Sequence, residues 1–241
     1  MHPGSIVAAS ASWCGQNGTG RYRFLFVGRR VGLTLCAAMA VLALSLATTT
    51  AAALAFTDVP TQRSDYAAIT GLAVKGAVLG FTDGTFRPDA PATRAEFVKM
   101  VAAAMFLPLM EATQAPFPDI DPGGSWAPFP GSYVAAAYVA GIVKGKSSRV
   151  FDPSGLLTRA QAMTIAVRTA EKLRASEFKP LPAGYRGKFT GFKDPTHGAN
   201  ARLAEANHLL VGINLEGWNP WAPATRSEAA TIAWNLVGCF G

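Results

Sequence analysis

Cysteine and histidine are scarce in this chain of 241 residues, with three of each. Cys14 and Cys36 lie in a leader that we expect to be removed, so only Cys239 remains in the rest of the chain. A single cysteine excludes an intramolecular disulfide and any metal site built on several thiolates. For Cys239 a small apolar role near the terminus is favoured over an intermolecular bridge. His197 and His208 have no cysteine partners and no i, i+4 spacing, so no metal site is predicted.

Acidic residues are absent from the first 55 positions, which carry four arginines before an apolar run from Val31 to Leu46. A positive segment followed by an apolar one and then by small residues is typical of a secretory signal peptide. Ala53 and Ala55 supply the small-x-small pattern that a signal peptidase recognises. We therefore predict a signal peptide over 1–55, although residues 1 to 26 make a long leader that a later translation start would explain.

Two membrane-anchored alternatives compete with the signal peptide. An uncleaved helix over Val31–Ala55 is long enough to span a bilayer, which needs about 20 residues, but its end rich in Ala and Thr suits cleavage better. A lipoprotein is excluded because Cys36 stands near the start of the apolar run. Membrane contact is therefore expected only through the signal peptide. After residue 55 the chain has 18 basic and 15 acidic residues, and a net charge of +3 gives little support for nucleic-acid binding.

A segment of eleven residues recurs three times in the remainder of the chain, as FRPDAPATRAE at 86–96, FDPSGLLTRAQ at 151–161 and WNPWAPATRSE at 218–228. An aromatic is followed two positions later by proline and seven positions later by Thr-Arg. A glycine stands six residues before each aromatic, and a Phe-x-Asp motif lies farther upstream. Repetition at this period indicates a repeat architecture. We predict repeats over 56–115, 116–173 and 189–241, the third divergent, with a basic linker over 174–188.

Each repeat is predicted to form two helices joined by a loop. The first helix of repeat 1 is expected from about Asp65 to Val78, and prolines in the loop exclude helix there. Thr93 and Glu96 then form a capping box, in which two side chains satisfy orphan backbone N–H groups. Such a cap is worth roughly 0.5–2 kcal/mol. The other boxes are Thr158 with Gln161 and Thr225 with Glu228.

Apolar residues behind each box fall on a single stripe of the second helix. The stripes are Phe97, Val101, Ala104 and Met105; Ala162, Ile165, Ala166 and Ala170; and Ala229, Ile232, Ala233 and Leu236. One helix pair cannot bury such a face alone. The sequence therefore predicts an all-α fold in which three helix-loop-helix repeats pack their faces on a common axis.

An arginine follows each capping threonine, at Arg94, Arg159 and Arg226. The start of a helix carries partial positive charge, so a cation there is disfavoured by a few tenths to about 1 kcal/mol. Exposed N–H groups at a helix start together with a guanidinium form a receptor for a carboxylate or phosphate. We favour this anion site over the alternative that each arginine pairs with the glutamate of its own box or with the Phe-x-Asp carboxylate.

These residues resemble the S-layer homology domain family, whose repeat combines a Phe-x-Asp start, a Gly-Ile-Val-x-Gly segment, an aromatic-x-Pro turn and a Thr-Arg-Ala-Glu helix start. The chain has FTD, GAVLG, FRP and TRAE; FPD, GIVKG, FDP and TRAQ; and FKD, HLLVG, WNP and TRSE. The resemblance implies a pseudo-threefold arrangement around a central three-helix bundle. It also implies grooves between repeats that hold secondary cell-wall polysaccharide, often carrying a pyruvate ketal.

Carried over by position, the resemblance implies a set of carbohydrate-binding residues: Arg94, Arg159, Arg226, Asp58, Asp119, Asp194, Gly80, Gly145, Gly212 and Lys144. The arginines would grip the ketal carboxylate, and the glycines would let a sugar approach. Repeat 3 departs from the pattern, with His208 where the other repeats have glycine and with Trp218 in place of phenylalanine. Gln161 weakens the box of repeat 2.

The resemblance implies a secreted protein at the cell wall, without cofactor, whose expected partners are a wall glycan and a second envelope protein. The competing hypothesis is a wall-glycan hydrolase, which needs two acids about 5–9.5 Å apart. Asp83, Asp89 and Glu96 are its candidates, but turn and capping roles are favoured for them. Four tryptophans are candidates for stacking on sugars, the last of them expected in the core: Trp126, Trp218, Trp221 and Trp234.

Overall fold

Six α-helices make up most of the regular structure of the described residues, 56–120 and 129–238, in this computed structural model. They are α1 (Tyr66–Val74), α2 (Arg94–Ala104), α3 (Gly131–Val139), α4 (Arg159–Leu173), α5 (Gly198–Ala206) and α6 (Arg226–Gly238), with two 3-10 turns at Ala112–Gln114 and Pro118–Ile120. Over the same residues there are isolated β-bridges but no strand, which confirms the all-α prediction. The predicted signal peptide, the alternative transmembrane helix, Trp126 and Cys239 lie outside the described residues.

The three predicted capping boxes start the second helix of each repeat. At α2 the Thr93 hydroxyl accepts a hydrogen bond from the Glu96 amide at 3.2 Å, and the Thr93 amide donates to the Glu96 carboxylate at 2.8 Å. Thr158 and Gln161 form the same reciprocal pair at α4. Thr225 and Glu228 form it at α6. Local sequence thus sets where these helices begin.

The first helix of repeat 1 is shorter than predicted. It begins at Tyr66 but ends at Val74, four residues before the expected end, because Gly76 adopts a left-handed conformation with φ of 68°. This is the usual way for a helix to terminate. Gly141 ends α3 in the same way, and His208 does so after α5 with φ of 59° although it has a side chain.

The second helices α2, α4 and α6 contact one another and form the centre of the fold. Each first helix packs against the second helix of a different repeat: α1 on α6, α3 on α2 and α5 on α4. Helix α1 approaches α6 closely because Gly71 has no side chain, and the Trp234 ring occupies the space that a Cβ would fill. The apolar face of each repeat is therefore buried by its neighbour, as a repeat architecture requires.

The residues predicted to form the core stripes are buried, with Phe97, Ala162, Ala166 and Ile232 at 0% exposure. Met105 is the exception, since it is half-buried just beyond the end of α2. Among the described residues no helix combines the length and apolar composition needed to cross a bilayer.

The basic segment predicted as a linker is held against α5 by hydrogen bonds. Asn207 bonds the backbone of Lys179 in both directions, accepting at 2.8 Å and donating at 2.9 Å. Tyr185 donates to the Glu205 carboxylate, which also accepts from the Lys188 amide. Glu205 and burial together raise the pKa of Tyr185 above its ordinary value, burial being the larger cause.

Candidate functional site

A ring of backbone hydrogen bonds joins the three loops that precede the second helices. The Ala92 amide donates to the Ala224 carbonyl at 2.9 Å, the Leu157 amide to the Ala92 carbonyl at 2.9 Å, and the Ala224 amide to the Leu157 carbonyl at 2.8 Å. Each repeat is thereby bonded to both others. We call the three contacts junction 1–2, junction 2–3 and junction 3–1, after the repeats that meet there.

The backbone N–H groups at the starts of the second helices are bonded across these junctions. At junction 1–2 the amides of Arg94 and Ala95 donate to the carbonyls of Gly155 and Pro153 at 2.9 and 3.0 Å. The equivalent amides donate from Arg159 and Ala160 to Ala222 and Pro220, and from Arg226 and Ser227 to Ala90 and Pro88. The expectation that these amides are exposed for an anion is wrong, because the next repeat already satisfies them.

The arginine side chains cross the same junctions. At junction 1–2 the Arg94 Nε donates to the Phe151 carbonyl at 2.9 Å, and a terminal nitrogen donates to the Lys144 carbonyl at 3.4 Å. Its guanidinium lies 4.6 Å from the centre of the Phe151 ring, within cation–π range. Arg94 is 5% exposed, so its charge is almost fully desolvated.

Two of the three arginines pair with a glutamate that belongs to the next repeat. At junction 2–3 Arg159 forms a bidentate pair with Glu228 at 2.9 and 2.6 Å. At junction 3–1 Arg226 pairs with Glu96 and donates from Nε to the Phe86 carbonyl at 2.8 Å. These two arginines therefore do not pair with the glutamate of their own capping box, which was the alternative.

Position 161 is glutamine, and this changes junction 1–2. Gln161 stands in repeat 2 where Glu96 and Glu228 stand in the others, and it still caps its helix by accepting from the Thr158 amide at 3.2 Å. Among the described residues Arg94 has no carboxylate within ion-pair distance. Burial lowers the pKa of Arg94, with opposing effects from Asp152 and Asp119.

Lys99 is a cation at junction 3–1 that the sequence motifs did not indicate. It is half-buried on α2, one helical turn after Glu96. Burial and the nearby Arg226 both lower the pKa of Lys99, while Glu96 raises it. Burial likewise lowers the pKa of Arg226, against the effect of Glu96. Comparing the repeats would have revealed this lysine, since the equivalent residues are Thr164 and Thr231.

The carboxylates of the three Phe-x-Asp motifs accept hydrogen bonds from backbone N–H groups. Asp58 accepts from the amides of Phe86 and Arg87 at 2.8 and 2.7 Å, and Asp119 accepts from the equivalent residues of repeat 2. Arg87 has φ of 58°, so this carboxylate holds a strained turn in place. Asp194 instead accepts from Thr196 and His197 just before α5. Contact of these aspartates with a glycan stays a prediction.

The three predicted glycines differ in their surroundings. The space that a Cβ would take is filled at Gly80 by the Phe56 ring, and at Gly145 by Phe117. Packing explains why glycine stands at both positions, since each glycine lets the aromatic ring of its own Phe-x-Asp motif approach the backbone. Gly212 has φ of 84° and more open surroundings. Approach of a sugar to these positions stays a prediction, as does a role for the exposed Lys144.

The candidate catalytic acids all have partners within the fold. Asp83 accepts from the Thr85 amide and pairs with Arg87, and Asp89 pairs with Arg63. The Glu96 carboxylate caps its own helix and also pairs with Arg226, as described above. Within the part of the chain that the structure describes, no group of three His, Cys, Asp or Glu side chains could hold a metal ion.

Comparison with known proteins agrees with this architecture. The family model of the S-layer homology domain matches residues 55–98 and 116–163. The chain is 32% identical over 197 residues to an S-layer protein of Bacillus thuringiensis subsp. finitimus, and 33% identical over 196 residues to the S-layer protein sap of Bacillus anthracis. It is also 33% identical over 171 residues to the exoglucanase XynX of Acetivibrio thermocellus.

These alignments cover 79% of the chain for both S-layer proteins and 69% for XynX, but only 22%, 22% and 15% of the relatives' own lengths. The shared region is therefore a module of much larger proteins. The matches indicate a secreted protein associated with the cell surface. Residues 55–98 and 116–163 of this chain are thus two copies of the S-layer homology repeat.

Proposed function

We propose that the chain is a non-catalytic anchor that attaches to the cell wall by binding an acidic secondary wall polysaccharide at the junctions between its repeats. Attachment at the cell surface is supported by the family match and by the S-layer relatives. The finer part of the proposal is that the ligand presents a carboxylate, such as that of a pyruvate ketal. The observation that carries it is the buried arginine at each junction.

A buried guanidinium is a strong receptor for a carboxylate. Charge-assisted hydrogen bonds are roughly twice as strong as neutral ones, and a desolvated charge interacts more strongly than one in water. Arg94 and Arg226 are 5% and 6% exposed, and the side chain of Arg159 is 19% exposed. Each keeps a small exposed fraction, while its other contacts fix its orientation. A glycan carboxylate would therefore meet a preorganised cation.

A wall-glycan hydrolase is the second candidate, because one relative is named as an exoglucanase. That name describes a protein of which the alignment covers 15%. The acids of this chain that were candidates for catalysis are used in a turn, an ion pair and a cap. The geometry therefore favours binding over catalysis.

The test measures retention of the chain on purified wall sacculi, with and without their secondary polymer. We expect retention that depends on the polymer and that soluble polymer inhibits. Arg94→Ala should weaken it by about tenfold or more, the factor for losing one charge-assisted interaction of about 1.4 kcal/mol. Lys172→Ala is the control, because Lys172 is exposed and lies in the last turn of α4, about 20 Å along the helix from Arg159.

Circular dichroism should show that each variant used is folded. Retention by sacculi stripped of their polymer, equal to that on intact sacculi, would refute the proposed function without reference to any variant. Release of reducing sugar that is lost in a Glu96→Gln variant would support the hydrolase instead.

A further inference from the structure

The pseudo-threefold arrangement allows the charges of the three junctions to be compared position by position. Arg226 pairs with the last residue of the next capping box, Glu96, and lies near Lys99 one helical turn later, so the two corresponding positions can be compared at each junction. At junction 1–2 these are Gln161 and Thr164, at junction 2–3 Glu228 and Thr231, and at junction 3–1 Glu96 and Lys99. The junctions therefore differ in charge although their backbones correspond.

Junction 2–3 is neutral because its cation and anion compensate each other. Both oxygens of Glu228 accept from Arg159, and one of them also accepts from the Trp218 ring N–H at 2.8 Å. The Arg159 guanidinium lies 5.0 Å from the centre of the Trp218 ring. A bidentate pair of this kind uses the geometry that an incoming carboxylate would need. An external carboxylate would therefore have to displace Glu228.

Junction 1–2 holds a buried cation whose partners are carbonyl oxygens. The two nearest carboxylates influence Arg94 but are committed elsewhere. Asp119 accepts from the amides of Phe151 and Asp152, and Asp152 pairs with Lys146. Since Gln161 is neutral, the position that a glutamate fills at the other junctions supplies no charge. A buried cation without a carboxylate favours binding an external one.

Junction 3–1 holds two cations and one facing glutamate. Arg226 pairs with Glu96, which leaves the half-buried Lys99 as the additional positive charge. Arg226 lies close enough to Lys99 to lower its pKa, after the larger effect of burial. Other charges also face this site, since Arg87 disfavours and Asp58 favours the charge of Arg226. An external carboxylate would relieve the repulsion between the two facing cations.

Building on the proposed function, we infer that junctions 1–2 and 3–1 each accept one carboxylate of the acidic glycan, and that junction 2–3 accepts none. Residues 161, 228 and 99 set this pattern. The ligand class is thus a glycan with at least two carboxylates along its length, held at two of three corresponding positions. The arginine motif alone would make all three positions equivalent.

The test uses two exchanges that the chain itself shows to be compatible with the fold, and a third that keeps most of the replaced side chain's volume. Gln161 demonstrates that glutamine serves in the capping box, so Glu228→Gln keeps the cap while removing the charge that faces Arg159. Gln161→Glu is the reverse exchange, and it gives Arg94 the partner that the other arginines have. Lys99→Met removes the additional cation of junction 3–1 and keeps its apolar stem.

The measurement follows the Nε–H signals of Arg94, Arg159 and Arg226 by NMR while a methyl glycoside bearing a pyruvate ketal is added. The same glycoside without the ketal is the control. In the unmodified chain we expect the signals of Arg94 and Arg226 to shift and that of Arg159 to stay. Gln161→Glu should weaken binding at Arg94 by about tenfold, Lys99→Met should do so at Arg226, and Glu228→Gln should create a response at Arg159.

Equal shifts of all three signals, a shift confined to Arg159, or no shift with any probe would overturn this inference. The proposed function is judged separately by retention on sacculi with and without polymer. Polymer-dependent retention combined with equal shifts would leave the proposed function standing and refute the selection of junctions.

Discussion

Asp58→Ala should destabilise the fold more than its place in a loop suggests. Its carboxylate accepts two backbone N–H groups from residues 28 and 29 positions later, at 2.8 and 2.7 Å. Hydrogen bonds to a charged group contribute about 1.5–3 kcal/mol each when buried. Because Asp58 is only half-buried, the lower end applies, which gives about 2–3 kcal/mol for the pair. The strained φ of Arg87 would then lack its support.

Asp83→Ala is the matched control. Asp83 also accepts a backbone N–H, from Thr85 at 3.0 Å, but it is exposed and its partner is two residues away. We expect less than about 0.5–1 kcal/mol for this change. Urea unfolding followed by circular dichroism gives both values, and the melting temperature of Asp58→Ala should fall by about 4–12 °C. Equal costs for Asp58→Ala and Asp83→Ala would refute the assigned role.

Two further predictions concern backbone conformation and pH. Gly76→Ala should lower the free energy of unfolding by about 1 kcal/mol, because φ of 68° disfavours a side chain even where the space is open. Gly191→Ala is the control, since Gly191 also lies in open space but has no positive φ. In the same unfolding assay this change should be neutral within about 0.5 kcal/mol. Burial, assisted by Arg168 and opposed by Asp194, lowers the pKa of His197 below its ordinary 6.5. The stabilisation that neutral His197 contributes to the fold should therefore be fully present above pH 6.5 and decline as the pH falls below it. His197→Gln should make the free energy of unfolding fall less steeply between pH 7.5 and 5. An unchanged slope in this variant would contradict the prediction.

The starts of the second helices could be predicted because their signals are local. Thr93 and Glu96 lie within one turn, and both sides of their capping box follow from the sequence. The end of α1 lies earlier than the sequence predicts, because a glycine such as Gly76 is compatible with several conformations and only its surroundings select one. Apolar periodicity therefore predicts which face of a helix is buried better than it predicts where the helix ends.

The partners of the arginines could not be predicted from sequence, since they lie far away along the chain. Arg159 and Glu228 are 69 positions apart, and Arg226 and Glu96 are 130 positions apart. The unusual charge at each helix start is visible in the sequence, but the partners of the adjacent N–H groups are not. Those groups are satisfied by carbonyls of another repeat, which no local motif encodes.

The ring of loop hydrogen bonds has a consequence for assembly. Each repeat presents one amide to a neighbour and one carbonyl to the other, as Ala92 does, so the contact is head-to-tail. A head-to-tail contact that rotates by a third of a turn closes after three copies and leaves no free edge. Two such repeats would expose an unpaired donor, an unpaired acceptor and an uncovered helix face. Three separate chains of one repeat each could close the same ring, so the covalent links between repeats chiefly raise the local concentration of its parts.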